Sequence, residues 1–153
     1  MIDIEDFQLS LDDLQQELTV LKDDGSGLTV GVHEAESARE GSELTNAQIG
    51  VYNHFGTENI PPRPFLDVGV MSGAQSYQEA LEEQQPDNLQ EALETIGVFA
   101  QSAVQEYMTD LRVPPNAQST IKKKGSSNPL IDTGELRSSI KWVVSKQTIT
   151  EGV

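Results

Sequence analysis

The stretch that decides the fold runs from Leu89 to Leu111 and reads LQEALETIGVFAQSAVQEYMTDL. Its apolar side chains recur every three or four positions, which places them along one face of an α-helix. Because this is the longest apolar stripe in the sequence, we predict a buried helix against which the other elements pack. The stripe consists of Leu89, Leu93, Ile96, Val98, Phe99, Ala100, Ala103, Val104, Tyr107, Met108 and Leu111.

Two further helices are predicted before this stretch. Asn46 is a favourable N-cap, and a helix that begins there is expected to continue to Phe55 and to end at Gly56. The prolines at positions 61, 62 and 64 then exclude both a helix and a central strand, so the chain crosses the surface in extended form. Pro64 is well placed to open a second helix, which the apolar pattern continues until Pro86 interrupts it.

Alternating apolar residues predict two strands, one near each end of the chain. Residues 28–32 alternate in this way. In residues 140–144, Ile140, Trp142 and Val144 share one face and Lys141 and Val143 the other, and Trp142 is expected to anchor the sheet. The two segments together predict a small sheet with one buried and one wetter face.

The elements together predict an α+β fold. We expect a helix-rich single domain over residues 1–153, with a long central helix packed on a small antiparallel sheet and with extended loops. An acidic N-terminal helix in residues 1–24, whose apolar stripe covers residues 7–21, is one expected appendage. An extended basic loop over residues 112–131 is the other, and the polar run 34–43 is expected to be a surface loop.

Composition limits the classes of function. The 153 residues include no cysteine, which excludes a disulfide framework and a thiol nucleophile. His33 and His54 are the only histidines, so we expect no multi-histidine metal centre and no cofactor. No apolar run approaches the roughly 18 residues that span a bilayer, and residues 1–6 are acidic where a secretory signal is basic. We therefore expect no membrane partner and synthesis in the cytoplasm.

The net charge of −15 is divided unevenly along the chain. Residues 1–111 hold 22 acidic and three basic residues, which gives −19, whereas residues 112–153 carry +4. A subunit with separated charges favours head-to-tail contacts between copies, which close into a ring when the rotation allows. The alternative is that the two regions neutralise each other within one chain, and the sequence leaves both possibilities open.

The segment Leu130–Gly134 matches the apolar-Asp-Thr-Gly core of aspartic proteases. In such enzymes the aspartate shares a proton with a second aspartate. Only 19 residues follow Gly134, too few for the flap and the second apolar segment of a dimeric protease. We therefore keep the protease as a distant alternative and interpret Asp132 or Thr133 as the cap of a short helix with Glu135 in its first turn.

The lysines at positions 122–124 stand beside a Gly-Ser loop and could contact phosphates. No nucleotide-binding glycine motif and no interleaved aromatic residues accompany them, so a solvated loop, or a basic arm against a neighbour's acidic face, is favoured over phosphate binding. His54 has no nucleophile or carboxylate pattern near it in sequence and is expected to be a packed or hydrogen-bonded side chain.

Two signatures far apart in the chain combine prolines, glycines and large apolar residues. The first is YNHFGTENIPPRPFL, residues 52–66, and the second is KGSSNPLIDTGELR, residues 124–137. With them the chain resembles the neck and tail-completion proteins of long-tailed bacteriophages. In that family a helix ending in aromatic-Gly-Thr leads into Ile-Pro-x-Arg-Pro-Phe, and Pro-Leu-x-Asp-Thr-Gly-x-Leu-x-x-Ser-Ile leads into a strand. The resemblance spans residues 28–146 and departs from the family at His54, where many relatives look acidic.

The resemblance implies a virion protein without enzymatic activity. Such a protein assembles as a homo-oligomeric ring, commonly a hexamer, between the head connector or adaptor and the tail tube or tail terminator. Phage DNA would pass through the ring, and an acidic interior would repel its phosphates. The alternative is a morphogenesis factor that assists head-tail joining and does not remain in the particle.

Seven residues are predicted to lie at interfaces with partners or with neighbouring subunits. Arg63 is charged and held between prolines, so we expect it to reach a carboxylate on a partner. The complete set is Phe55, Arg63, Phe65, Lys122, Lys123, Lys124 and Arg137.

Overall fold

A computed structural model of the chain describes residues 26–33, 38–39, 41–125, 128–129 and 134–146. The predicted acidic N-terminal helix and much of the predicted 34–43 loop lie outside these residues. The elements in chain order are β1 (Ser26–Val32), α1 (Asn46–Phe55), α2 (Phe65–Ser72), α3 (Ala74–Gln84), α4 (Leu89–Asp110), α5 (Gln118–Lys124), α6 (Glu135–Ser139) and β2 (Ile140–Lys146).

Helix α4 is the long central helix that the apolar stripe predicts. It begins after Asn88, whose side-chain oxygen accepts a hydrogen bond from the Glu91 N–H at 3.0 Å. Its buried positions, spaced three or four residues apart, are Leu93, Gly97, Ala100, Val104 and Met108. Helices α2 and α3 and both strands pack against it, so the core forms on the buried face of α4.

Strands β1 and β2 form a two-stranded antiparallel sheet, with Val30 opposite Trp142 and Val32 opposite Ile140. Ile140 is completely buried against α4, whereas Val143 on the other face is 41% exposed. The predicted alternation of a buried and a wetter face is confirmed, and with it the α+β fold in which a long helix packs on a small antiparallel sheet.

Helix α1 has the predicted extent, but its cap differs from the prediction. Thr45 is the N-cap, and its hydroxyl accepts from the Gln48 N–H while the Gln48 side chain accepts from the Thr45 N–H. Asn46, which we had expected to be the cap, is the first helical residue and is buried. Gly56 ends the helix as predicted: its φ of 76° suits glycine, and a Cβ there would lie 2.7 Å from the Ile60 carbonyl oxygen.

The predicted continuous helix after Pro64 is two helices, α2 and α3, which meet at Gly73. The ring of Tyr77 folds back over Gly73, and its hydroxyl donates to the Val70 carbonyl at 2.7 Å. A Cβ at position 73 would overlap this ring. The break therefore depends on the close approach of a side chain to a glycine, which the apolar spacing does not reveal.

The segment 112–131 is not extended throughout, as we had predicted. Gln118–Lys124 forms helix α5, which Gly125 ends with a φ of 71° and an N–H that donates to the Ile121 carbonyl. Glutamine and lysine are good helix formers, and the terminating glycine completes a short helix. The residues between α4 and α5 form neither helix nor strand, bend at Val113 and Pro114, and include a cis peptide bond between these two residues.

Candidate assembly surface

The loop of the first signature is fixed by one buried arginine. Arg63 is 3% exposed, and its backbone N–H donates to the Asn53 carbonyl at 2.7 Å. Its Nε donates to the Pro114 carbonyl at 2.9 Å, and its Nη2 donates to the Pro115 carbonyl at 3.1 Å and to Asn116 Oδ1 at 3.3 Å. We call this set of contacts the arginine clamp. It joins the end of α1 to the loop that follows α4.

The expectation that Arg63 reaches a partner's carboxylate is therefore wrong. Its guanidinium points into the chain, and the oxygens that accept from it are uncharged. Burial lowers the pKa of Arg63 from its usual value, as expected for a cation removed from water. The flanking prolines hold the backbone at the surface while the side chain turns inward.

Phe65 is also not an interface residue. It is 1% exposed and forms the core together with Val104, Met108, Leu136 and Ile140. It is the first residue of α2, so the end of the proline-rich segment is attached to the core by a large apolar side chain.

Phe55, by contrast, lies at the surface as predicted for an interface residue. Its side chain is 73% exposed at the last residue of α1. The preceding residue, His54, is buried, and its ring contacts the ring of Phe55 at a centroid distance of 4.6 Å and that of Phe65 at 5.7 Å. His54 Nε2 lies 3.3 Å from a carboxylate oxygen of Asp67, so the end of α1 is held against α2. Of the two alternatives predicted for His54, a packed or a hydrogen-bonded side chain, its burial and its ring contacts confirm the packed one.

Other exposed apolar side chains lie on the segments that these contacts hold together. Val51 precedes Phe55 by one turn of α1, Val68 and Met71 share a face of α2, and Val113 precedes the clamped Pro114. Met71, at 75%, is the most exposed of these side chains. We call Val51, Phe55, Val68, Met71 and Val113 the apolar set. Only Phe55 of this set was singled out from the sequence, because exposure depends on where neighbouring helices lie.

The predicted basic arm is the short helix α5. Lys122 and Lys123 are exposed on α5, and Lys124 is its last residue. α5 makes only marginal contacts with the other helices and strands that the structure describes. Lys122 and Lys123 are therefore not enclosed by those elements.

Arg137, the remaining predicted interface residue, participates in contacts within the chain. Its Nε donates to the Gln105 carbonyl at 3.2 Å, and Gln105 Nε2 donates back to the Arg137 carbonyl at 3.1 Å. Glu135 forms an ion pair with Arg39 at 2.9 Å. These contacts attach α6 to α4 and to the segment before α1.

The Asp-Thr-Gly segment is described only from Gly134 onward, and residues 130–133 lie outside the described part. Gly134, with a φ of 84°, is the N-cap of α6 and makes no side-chain cap hydrogen bond. The N-cap position therefore falls on Gly134, whereas Asp132 and Thr133, the predicted caps, lie outside the described residues; Glu135 lies in the first turn as predicted. Within the described residues, no group of three or more His, Cys, Asp or Glu side chains is arranged to hold a metal ion.

No protein-family model, curated protein or solved structure matches the chain. None of the described helices combines the length and the apolar character needed to cross a membrane. Function is therefore proposed from the two signatures and from the geometry around them.

Proposed function

We propose that this chain is a structural subunit of the head-tail junction of a long-tailed bacteriophage. Several copies form a ring between the head connector and the tail and surround the path of the DNA. The chain acts through its surfaces and carries out no reaction. The resemblance of the two signatures to neck and tail-completion proteins suggests this function, and the shape and charge of the surface support it.

The exposure of Phe55 is the observation that carries the proposal. Gly56 and Arg63 shape the loop of the first signature, and Phe65 attaches it to the core. Phe55 belongs to the same signature but stays 73% exposed. Burying an aromatic ring of this size in an interface contributes about 1.5–3 kcal/mol. Because the backbone on both sides of the ring is fixed, little conformational freedom is lost when it docks.

The charge of α3 and α4 suits a surface that faces DNA without binding it. Their exposed carboxylates repel phosphates and keep the genome from adhering to the channel wall. They belong to Glu79, Glu82, Glu83, Glu106 and Asp110.

A complementation experiment in the phage that encodes the chain tests the proposal. Without the chain we expect filled heads and finished tails that remain separate. The wild-type chain should restore joining, and Phe55→Ser should not. Val143→Ser, which removes an exposed apolar side chain from the outer face of the sheet, is the matched control and should restore joining.

Joined particles without the chain, or full complementation by Phe55→Ser, would contradict the proposal. If joining requires the chain but finished particles do not contain it, the chain is a transient morphogenesis factor and not a ring subunit.

A further inference from the structure

A groove of about 380 Å³ lies between the end of α3 and the first half of α4. One wall is formed by Trp142 of β2, which can lie against α4 because position 97 is glycine. A Cβ there would be 2.6 Å from Trp142 Cδ2. Val98 and Phe99 form the apolar part of the lining, and Val98 is half exposed. The groove therefore offers apolar surface that the described elements leave uncovered.

The rim of this groove is acidic. Glu91 and Glu94 belong to its lining and are both exposed, and no basic residue belongs to the lining. Asp87 stands next to them at the start of α4. An occupant that fits the groove must combine positive charge on its polar side with an apolar group that covers Val98 and Trp142.

Helix α5 has this chemistry. Lys122 and Lys123 are exposed on it, and the neighbouring Ile121 is a partly exposed apolar residue. Residues 1–24 carry eight acidic residues and one lysine, so they would bring negative charge to this acidic rim. Charge complementarity therefore favours α5.

Within one chain, α5 is held at the opposite end of α4. Before α5, the arginine clamp attaches Pro114 and Pro115 beside the end of α4. After α5, Asn128 Nδ2 donates to the carbonyls of Met108 and Thr109 at 3.1 and 2.7 Å. The groove is centred near Thr95, about 20 Å away along the helix axis at 1.5 Å per residue.

We infer that the groove lined by Glu91, Glu94, Val98 and Trp142 is the docking site for α5 of a second copy of this chain. Lys122 of one copy meets Glu91 and Glu94 of the next, and Lys123 adds positive charge on the side away from the groove. Ile121, about 100° around the helix from Lys122, covers the apolar wall. The two surfaces are different, so the contact is head-to-tail and repeats around a ring or along a filament. The inference rests on the proposed function only in requiring that copies associate.

Charge exchange across the contact tests the inference. Variant one carries Lys122→Glu and Lys123→Glu, and variant two carries Glu91→Lys and Glu94→Lys. Each alone juxtaposes like charges, so we expect its self-association, measured by light scattering at low salt, to be at least about tenfold weaker than that of the wild type. Mixed in equal amounts, each variant meets an opposite charge on the other, and association should recover.

The control variant carries Glu58→Lys and Glu79→Lys, which change the net charge as variant two does but lie outside the groove lining. It should associate as the wild type does, and circular dichroism should show that all variants fold. Wild-type association should also weaken as salt rises.

The inference is overturned if the wild type stays monomeric at millimolar concentration and low salt, if either variant associates as well as the wild type, or if the mixture does not recover. If the wild type associates but the charge exchange has no effect, the contact between α5 and the groove is excluded. The proposed ring function is not affected by that result. If the complementation experiment fails, the proposed function at the head-tail junction is contradicted. The contact between copies is then tested only by the association of the two mixed variants.

Discussion

Arg63 connects two loops that lie 51 positions apart in the sequence. Its position between prolines correctly indicates a rigid surface loop, but the direction of the side chain depends on the carbonyls of Pro114 and Pro115. Backbone carbonyls have no sequence signature, so the clamp could not be predicted. Phe55 was singled out as an aromatic residue of the first signature, and its 73% exposure depends on where the neighbouring helices lie.

Replacing Arg63 with alanine should lower the free energy of unfolding by about 2–4 kcal/mol, since buried carbonyls would lose their donors. Urea denaturation measures this effect. Arg112→Ala is the control, because Arg112 is exposed, and it should change stability by about 0.5 kcal/mol or less. Equal effects of the two substitutions would show that the clamp does not stabilise the fold.

Tyr77→Phe should cost about 1 kcal/mol near neutral pH, because the hydrogen bond to the Val70 carbonyl is lost. Burial raises the pKa of Tyr77 above the usual phenol value of 10.0, so the folded state holds this proton more tightly than the unfolded state. The protonated Tyr77 hydroxyl therefore makes its full contribution to the free energy of unfolding below pH 10.0, and this contribution is lost as the pH rises through the folded-state pKa.

The stability difference between wild type and Tyr77→Phe should therefore narrow above pH 10, as measured by denaturation at several pH values. Tyr52→Phe, on the exposed side of α1, controls for the loss of a hydroxyl at the surface. If the difference in the free energy of unfolding between wild type and Tyr77→Phe stays constant to high pH, the raised pKa of Tyr77 in the folded state is contradicted.

At the level of elements, apolar spacing predicts α4, α1 and both strands because each has one face toward the core. It does not predict the break at Gly73 or the helix α5. The break arises from the ring of Tyr77, and α5 has no buried face that would give its sequence a period. The sequence thus indicates elements that pack against the core and misses features set by a single contact or by exposed residues.

Two helix glycines should respond oppositely to alanine. A Cβ at Gly69 of α2 would lie 2.9 Å from the Val104 Cα of α4, so Gly69→Ala should force the helices apart and destabilise by about 1–3 kcal/mol. A Cβ at Gly50 of α1 meets its nearest atom, Leu136 Cδ1, at 3.5 Å. Gly50→Ala should therefore stabilise by up to about 1 kcal/mol through helix propensity.

Thermal or urea unfolding of the two glycine variants measures these changes. A Gly69→Ala variant as stable as the wild type would show that Gly69 does not fix the separation of α2 and α4. A destabilised Gly50→Ala variant would show that position 50 has no room for a Cβ.

For the whole molecule, the sequence predicts that opposite charges are separated along the chain, and the structure shows where part of that charge lies. Exposed carboxylates occupy α3 and α4, while exposed lysines project on α5. The groove beside Trp142 could not be predicted, since it needs α3, α4 and β2 to meet around Gly97. The sequence therefore predicts part of the charge of the candidate surface, but it does not predict its shape.

The protein should not bind duplex DNA, because its net charge of −15 outweighs three lysines in one segment. A gel-shift measurement at low salt should show no retardation, and Lys122→Glu with Lys123→Glu should leave that result unchanged. Retardation that is lost with salt and with this double substitution would instead make α5 a phosphate-binding element.

The most direct test of the central claim is to locate the chain in purified particles by cryo-electron microscopy of the head-tail junction. We predict a ring of identical subunits at the junction, each fitting α4 packed on the β1–β2 sheet with Phe55 buried against a neighbouring protein. Density at the junction that is fully accounted for by other proteins, or Phe55 exposed to solvent in an assembled ring, would contradict the account.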